Sequence, residues 1–495
     1  MLKDPGPAGK NGFAATPDDH LAAGTGRFTG WKPPAGSPRW APDREKPADQ
    51  GGAAHGRNDG SFAIGFRDTR LHHHQQPRAL PVSHILMKHF VALALFVFQS
   101  VAAVAQSDVI GVYLTWQRDP TTTMTVNWVN LYEHTPATVW YRDSKEAEWQ
   151  SATGTRGVAS LSTMQVRRVE LTGLKPDTLH EFVLAEKPGR EAKGVRRFRT
   201  LPATLSRPLR FVAGGDMMHN REYVDTMNKR AAELDPDFAI LGGDLAYAND
   251  VDAARWIDWI QSWSENARSK DGRVIPMIVG IGNHEVKGGF NGQIPDDASY
   301  FYSLFALPEN RSYYALDAGD YLSVVMLDSG HTHQIAGPQA DWLARAMADR
   351  GSKRFVFPVY HWPAYGTTKG EEGKLPCEHP RSVEIRTHWI PHFEKHGVSA
   401  VFENDHHNYK RSHPLRGHQR DDANGITYLG DGAWGVATRS VPKDAWYLAF
   451  AEPRRHLFHV TLNLDGTIKA EAVSGSGTIF DQVTLTKART TPVAP

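Results

Sequence analysis

The sequence predicts an α+β protein: an all-β sandwich followed by a mixed domain of buried strands and amphipathic helices. Three observations carry this. Residues 108–200 hold short strand-like runs, the clearest with alternating apolar side chains. From 208 onward, short apolar runs are interleaved with amphipathic stretches, as expected of buried strands and covering helices. Between the two lies Leu201–Pro208, a linker with two prolines.

The chain has 495 residues, with 56 basic against 55 acidic side chains and a net charge of +1. That balance argues against a nucleic-acid binder working through bulk charge and against a polybasic membrane binder. The one cysteine, Cys377, excludes a disulfide within the chain and any zinc site built on cysteines. A bound metal would have to use His, Asp, Glu, Asn or Tyr.

Residues 1–86 contain 10 Pro and 12 Gly and show no apolar periodicity, so they are expected to be disordered. The run His72-His73-His74 within them reads as a surface accident. Residues 87–105 then show the three-part layout of a secretory signal peptide. Met87-Lys88-His89 is positive, Phe90–Phe98 is nine apolar residues, and Ala103-Val104-Ala105 supplies small residues before a cleavage point. Nine apolar residues are too few for a bilayer span, which needs about 20. The expectation is that translation begins at Met87, that 1–86 is an over-extended gene start, and that the product is secreted or periplasmic without stable membrane insertion. Of the charged residues, 12 basic and 8 acidic fall in 1–105, leaving 44 and 47, a net of −3.

In the expected sandwich, 106–202, Met124–Trp128 alternates so that one face can be buried, and Thr138–Tyr141 and Val169–Leu171 are further strand candidates. Leu174-Lys175-Pro176-Asp177-Thr178-Leu179-His180 resembles the L-x-P-x-T-x-Y corner of fibronectin type III domains, with His180 where a tyrosine would close the corner. A spacer role is expected for this domain.

In the expected second domain, 208–480, five apolar runs each end in a polar cluster. Arg210–Ala213 leads to Asp216, Phe238–Leu241 to Asp244, Val274–Ile281 to Asn283, Phe355–Tyr360 to His361, and Val398–Phe402 to Asp405-His406-His407. Helices are predicted over Tyr223–Leu234, Ala253–Ala267 and Gln339–Asp349, the second with Trp256, Ile257, Ile260 and Trp263 on one face. Residues 481–495 read as a tail. Taken singly, each cluster has an ordinary reading: Gly-Asp after a strand is usually a turn. Together, at strand ends sharing one sheet edge, they offer more oxygen and imidazole ligands than one metal needs, which suits a metal pair.

The ordered series Gly215-Asp216, Gly243-Asp244-Leu245-Ala246-Tyr247, Gly282-Asn283-His284-Glu285, His361, and Asp405-His406-His407 resembles the metallophosphoesterases, specifically the purple acid phosphatases. Tyr247 carries the sub-family resemblance. The fibronectin-like domain in front is also shared by larger members. The resemblance implies an α/β/β/α sandwich and two metal ions, Fe(III) plus a divalent Fe, Zn or Mn. It implies that Asp216, Tyr247 and His407 bind the first, Asp244 bridges, and Asn283 and His361 bind the second. Where the family has a further histidine ligand, this chain has Asp405, with His406 as the alternative. Asn283 and His284 would bind substrate, and His284 would bond a phosphate oxygen or protonate the leaving group as the catalytic acid. His219 is read as a non-ligand neighbour. The stretch Trp362–Lys369 lacks the histidines that plant-type members place over the phosphate, and Tyr365 and Lys369 read as ordinary loop residues.

The implied activity is hydrolysis of small phosphate monoesters by metal-activated hydroxide, acid phosphatase-like, with no nucleic-acid partner. The alternatives are a phosphodiesterase of the same fold, or a secreted non-catalytic binding protein whose metal site is degenerate. Oligomeric state is not legible.

Overall fold

The structure, a computed structural model, describes residues 109–130, 137–158, 164–184, 188, 194–368, 370 and 373–488. The expected disordered start and signal peptide lie outside these residues.

Eight strands build the N-terminal sandwich: β1 (Val109–Thr115), β2 (Met124–Asn130), β3 (Thr138–Asp143), β4 (Gln150–Thr153), β5 (Thr155–Val158), β6 (Gln165–Leu171), β7 (Leu179–Leu184) and β8 (Arg196–Arg199). They form two four-stranded sheets, β1-β2-β6-β5 and β4-β3-β7-β8, with every pairing antiparallel. The alternation of β2 predicts one buried face, yet all seven of its residues are buried. The domain that follows covers the other face. Tyr113 donates to the Leu304 carbonyl at 2.6 Å, Arg168 to the Ser303 carbonyl at 3.0 Å, and Ser264 Oγ accepts from the Val112 N–H at 3.0 Å. The fibronectin-like corner is closed by Thr200, whose hydroxyl donates to the Lys175 carbonyl at 2.6 Å. His180 instead stacks on Phe198, 5.1 Å between ring centres.

The second domain contains two further sheets among the described residues. The first has order β11 (Met277–Val279), β10 (Phe238–Leu241), β9 (Leu209–Gly214), β21 (His456–Leu462), β22 (Ile468–Ser474), β23 (Ile479–Leu485). Its first three strands are parallel and the rest antiparallel. The second has order β12 (Tyr314–Ala318), β13 (Leu322–Met326), β14 (Phe355–Val359), β15 (Val401–Phe402), β19 (Tyr428–Gly430), β16 (Tyr409–Ser412), β20 (Leu448–Glu452). Strands β13, β14, β15 and β19 run parallel. A small hairpin joins β17 (Leu415–Arg416) to β18 (Gln419–Arg420).

The sheets face each other through aromatic rings: Phe211 lies 5.4 Å from Phe357 and 6.0 Å from Phe402, and Phe402 5.8 Å from Phe458. Strand period two sorts the second sheet. Phe355, Phe357, Val359 and Phe402 point to this interior, whereas Val325, Val356 and Val401 join a separate outer core with helix residues. That outer layer comprises α4 (Pro338–Arg350), α5 (Pro380–His388) and α6 (Ile390–His396); the other helices are α1 (Arg221–Glu233), α2 (Ala253–Asn266) and the short α3 (Ser299–Leu304).

The three predicted helices appear within two residues of their expected ends. Asn220 caps α1 by accepting from the Tyr223 N–H, and Asp252 caps α2 by accepting from those of Ala254 and Arg255. On α2 the buried face includes Trp259, which the predicted face omitted, while Ile257 is only half-buried. The expected tail begins too early. β23 carries the sheet on to Leu485, pairing with β22, and the Ala488 N–H donates to the Val398 carbonyl. Polar alternation on this edge strand disguised it.

Candidate metal centre

Each cluster sits just beyond the carboxyl end of a parallel strand, and the strands belong to both sheets. Asp216, Asp244 and Asn283 follow β9, β10 and β11; His361 and Asp405 follow β14 and β15. The single shared sheet edge expected from sequence is thus two facing edges. The chain must turn sharply there. Asp216, Asp244, Tyr247, Asp405 and His407 all have positive φ, between 53° and 74°, uncommon for residues with a side chain and concentrated at functional sites. The backbone also comes close to the carboxylates. A Cβ on Gly432 would lie 1.9 Å from Asp216 Oδ2, and one on Gly282 2.2 Å from Asp244 Oδ1.

Two groups of polar atoms result. In the first, Tyr247 donates to Asp216 Oδ1 at 3.1 Å, its oxygen is 3.0 Å from His407 Nε2, and His407 Nε2 is 3.1 Å from Asp216 Oδ1. In the second, His361 Nε2 lies 3.3 Å from Asp244 Oδ2 and 3.5 Å from Asp405 Oδ1. The groups adjoin: atoms of Asp216, Asp244 and His361 lie within 4.8 Å of one another, and the Asp405 N–H donates to Asp216 Oδ2 at 2.8 Å. Asn283 follows β11, and its amide donates to the Gly289 carbonyl at 3.2 Å.

The donor set fits metal ions. His361 Nδ1 faces the Gly242 carbonyl at 3.0 Å, which holds a proton there and turns Nε2 towards the carboxylates, where it can take a metal once deprotonated. That Nε2 is buried and has no hydrogen-bond partner among the described residues. Burial alone would lower the His361 pKa, but Asp244 and Asp216 overcome it and hold the pKa well above the ordinary value. Burial, then Asp216 and Asp244, push the Tyr247 phenol well above 10. Carboxylates this crowded and this dry call for cations.

His284 lies over the two groups. Its ring stacks on Tyr247 at 4.3 Å, Nδ1 is 2.6 Å from Asn249 Oδ1, and Nε2 is 3.9 Å from Asp244 Oδ2. Its side chain is 30% exposed, so it is reachable from solvent. His406 lies beside Asp405 and is anchored through its Nδ1. Its Nδ1 accepts the N–H groups of Thr367 and Thr368, each at 2.9 Å, which leaves the ring proton on Nε2, 3.7 Å from Asp405 Oδ2. His219 Nδ1 accepts from the Ala437 N–H at 3.0 Å, its ring 5.3 Å from Tyr247. Tyr365 is buried among Tyr428 and Tyr447, and Lys369 lies outside the described residues.

Three contributors were missed from sequence. Glu285 accepts the N–H groups of Asp244 at 2.7 Å, Leu245 at 2.8 Å and Gly282 at 2.7 Å, tying two ligand loops together. Burial, then Asp244, raises its pKa to about 8, opposed by those bonds. Asn249 orients His284. Arg439 donates to the Asp405 carbonyl at 3.4 Å. Glu285 was visible as the last letter of Gly-Asn-His-Glu, but nothing in the sequence marks Asn249 or Arg439.

A β-sandwich leading into a two-sheet domain with clustered carboxylates and imidazoles at its strand ends defines a metallophosphoesterase architecture. The comparisons agree. Residues 109–200 match the family described as purple acid phosphatase, N-terminal domain, and 209–408 match calcineurin-like phosphoesterase. The chain is similar to an uncharacterized protein of Mycobacterium tuberculosis, 29% identical over 355 residues, 62% of this chain and 63% of that one. It is also similar to purple acid phosphatase 15 of Arabidopsis thaliana, 25% identical over 309 residues, 56% of this chain and 55% of that one. The chain thus spans less than two thirds of the length of these relatives. Among solved structures, a purple acid phosphatase from yellow lupin seeds superposes with TM-score 0.63 at 16% identity, covering 78% of this chain and 77% of that one. PhoD superposes with TM-score 0.58 at 14% identity, covering 78% and 92%. The chain belongs to the purple acid phosphatase-like metallophosphoesterases of the calcineurin-like superfamily, with their N-terminal domain. No helix among the described residues is long and apolar enough to cross a membrane.

Proposed function

We propose that the protein is an exported phosphatase that hydrolyses small phosphate monoesters at a pair of metal ions. The observation that carries this reading is the pair of abutting ligand groups, with an orphaned His361 Nε2 in one and Tyr247 in the other. Asp216, Tyr247 and His407 would hold the first ion, Fe(III), and Asp244 would bridge. Asn283, His361 and Asp405 would hold the second, a divalent Fe, Zn or Mn. The His406 geometry supports Asp405 over His406. When bound, the ions neutralise the ester's charge and lower the pKa of a water molecule.

The protein's own groups do the rest. Asn283 and His284 bind the ester's oxygens. Asn249 accepts from His284 Nδ1–H, which aims Nε2 at the substrate side, and a protonated Nε2 can deliver its proton to the departing alkoxide. Glu285 holds the Asp244 and Gly282 loops in register. The sandwich braces the catalytic domain from outside.

The test is metal content together with phosphate release from a monoester and a bis-ester, assayed side by side. Two ions per chain and a faster monoester support the reading. A faster bis-ester makes the protein a phosphodiesterase. Fewer than two ions with no hydrolysis would make it a binding protein. An active but colourless, iron-free protein would remove the Fe(III)–Tyr247 assignment alone.

A further inference from the structure

The carboxylates and His361 of the candidate centre are buried, so its opening is marked by the neighbouring residues that solvent reaches. Tyr247, Asn283, His284 and Arg439 are half-buried, and His219 is exposed. Binding of the ester by Asn283 and His284 uses only part of this rim. His219 touches the first group of ligands. Its ring meets that of Tyr247 edge-on at 5.3 Å and that of His407 at 5.6 Å. Its Nδ1 accepts from the Ala437 N–H at 3.0 Å, so the ring proton is on Nε2. Nε2 makes no hydrogen bond among the described residues, which leaves an open donor on an exposed ring.

Arg439 is built into the same rim. Its backbone N–H lies 3.1 Å from Asn408 Oδ1 and 3.3 Å from the His407 carbonyl, which fixes the residue to the ligand loop. Its side chain makes one long bond, from Nη1 to the Asp405 carbonyl at 3.4 Å. Nε and Nη2 make none among the described residues, and neither is buried. Arg207, Arg350 and Arg411 each meet a carboxylate at 2.7–2.8 Å, whereas Arg439 forms no ion pair among the described residues. The two residues share one neighbourhood. Burial lowers the His219 pKa to about 4; His407 adds to this, Asp216 opposes it, and Arg439 and His284 contribute. A guanidinium with open donors, next to a neutral N–H, suits an oxyanion. At neutral pH a phosphate monoester is a dianion with three unsubstituted oxygens, and a diester is a monoanion with two. A further cation at the rim therefore rewards the monoester more.

We propose that His219 and Arg439 bind an oxygen of the phosphoryl group beside Tyr247 and His407, and that Arg439 sets a preference for monoesters over diesters. This rests on the phosphoesterase reading above.

The experiment uses the metal-loaded full chain as wild type, Arg439→Gln, Arg439→Lys and His219→Ala. It measures kcat/KM for p-nitrophenyl phosphate and bis(p-nitrophenyl) phosphate, and the affinity for inorganic phosphate by calorimetry. Loss of a charge-assisted hydrogen bond predicts that the monoester-to-diester ratio falls about tenfold in Arg439→Gln. Arg439→Lys, which keeps the charge, should restore most of it. In His219→Ala, loss of a neutral bond should weaken phosphate binding about threefold. The ratio is internal to each protein, so incomplete metal loading, which lowers both rates together, does not move it. An unchanged ratio in Arg439→Gln overturns the specificity role, and unchanged phosphate affinity in His219→Ala overturns the role of His219. Hydrolysis of neither ester by the wild type overturns the phosphoesterase reading instead. Phosphate affinity in wild type and Arg439→Gln then decides the site separately: a loss of about tenfold supports it and equal affinities overturn it.

Discussion

The two halves of the candidate centre are built differently. Asp216, Tyr247 and His407 lie 3.0–3.1 Å apart and satisfy one another by hydrogen bonding. Asp244, His361 and Asp405 stand 3.3–3.5 Å apart, with His361 Nε2 left open. The first half can persist as a hydrogen-bonded triad in which the phenol proton takes the cation's place. In the second half the substitute is the proton on His361, one imidazolium set between two buried carboxylates. The second half, with two carboxylates on one cation, should therefore depend more on its ion for order, and each half should load only by giving up a proton.

The largest effect should come from the residue between the halves. Asp244→Asn removes a buried charge from a paired site, which by the cost of breaking a buried pair weakens metal binding roughly 10²–10³-fold. Both ions should be lost on dialysis and hydrolysis should disappear. Retention of one ion, read by metal analysis, would show that Asp244 serves one half only.

His284 tests whether chemistry can be separated from either half. His284→Ala should keep both ions and lower kcat by about 10²-fold, the lower end for a positioned general acid. The loss should be smaller for esters with acidic leaving groups, which need no proton. Equal losses for all leaving groups would give His284 a binding role in place of proton donation.

The proton account predicts a smaller, graded effect. In metal-free protein the His361 ring is charged, because Asp244 and Asp216 raise its pKa despite burial, and a metal requires it neutral. Affinity should rise with pH until that raised pKa is passed, by about tenfold per pH unit for each proton released. Calorimetry in buffers of different ionisation enthalpy counts the protons. Uptake without proton release would mean that His361 is already neutral.

The strand-then-cluster pattern was legible because buried parallel strands are nearly pure apolar runs, and their ligands follow within a few residues. This placed Asp216, Asp244 and His361 together without any structural information. What escaped was set by tertiary contact. β2 is buried on both faces because the second domain packs on its outer side. β23 reads as tail because an edge strand keeps polar residues. Glu285 and Asn249 work through loops that meet only after folding. The left-handed backbone at five candidate ligands is likewise invisible in a sequence with no glycine at those positions.

Asp405 gives the finest test of the comparison. An aspartate where the family pattern has a histidine makes the second half harder and more negative, which favours Mn or Fe over Zn. Asp405→His should invert that preference while costing only a few-fold in activity with the preferred ion, because the Asp405 backbone N–H to Asp216 is retained. The first half should be untouched, so any Tyr247-dependent visible absorption should stay. Competition between Zn and Mn, followed by metal analysis of wild type and variant, reads the outcome. Identical selectivity in the two proteins would mean that residue 405 does not ligate. The distinctness of the second half would then rest on His361 and Asn283 alone.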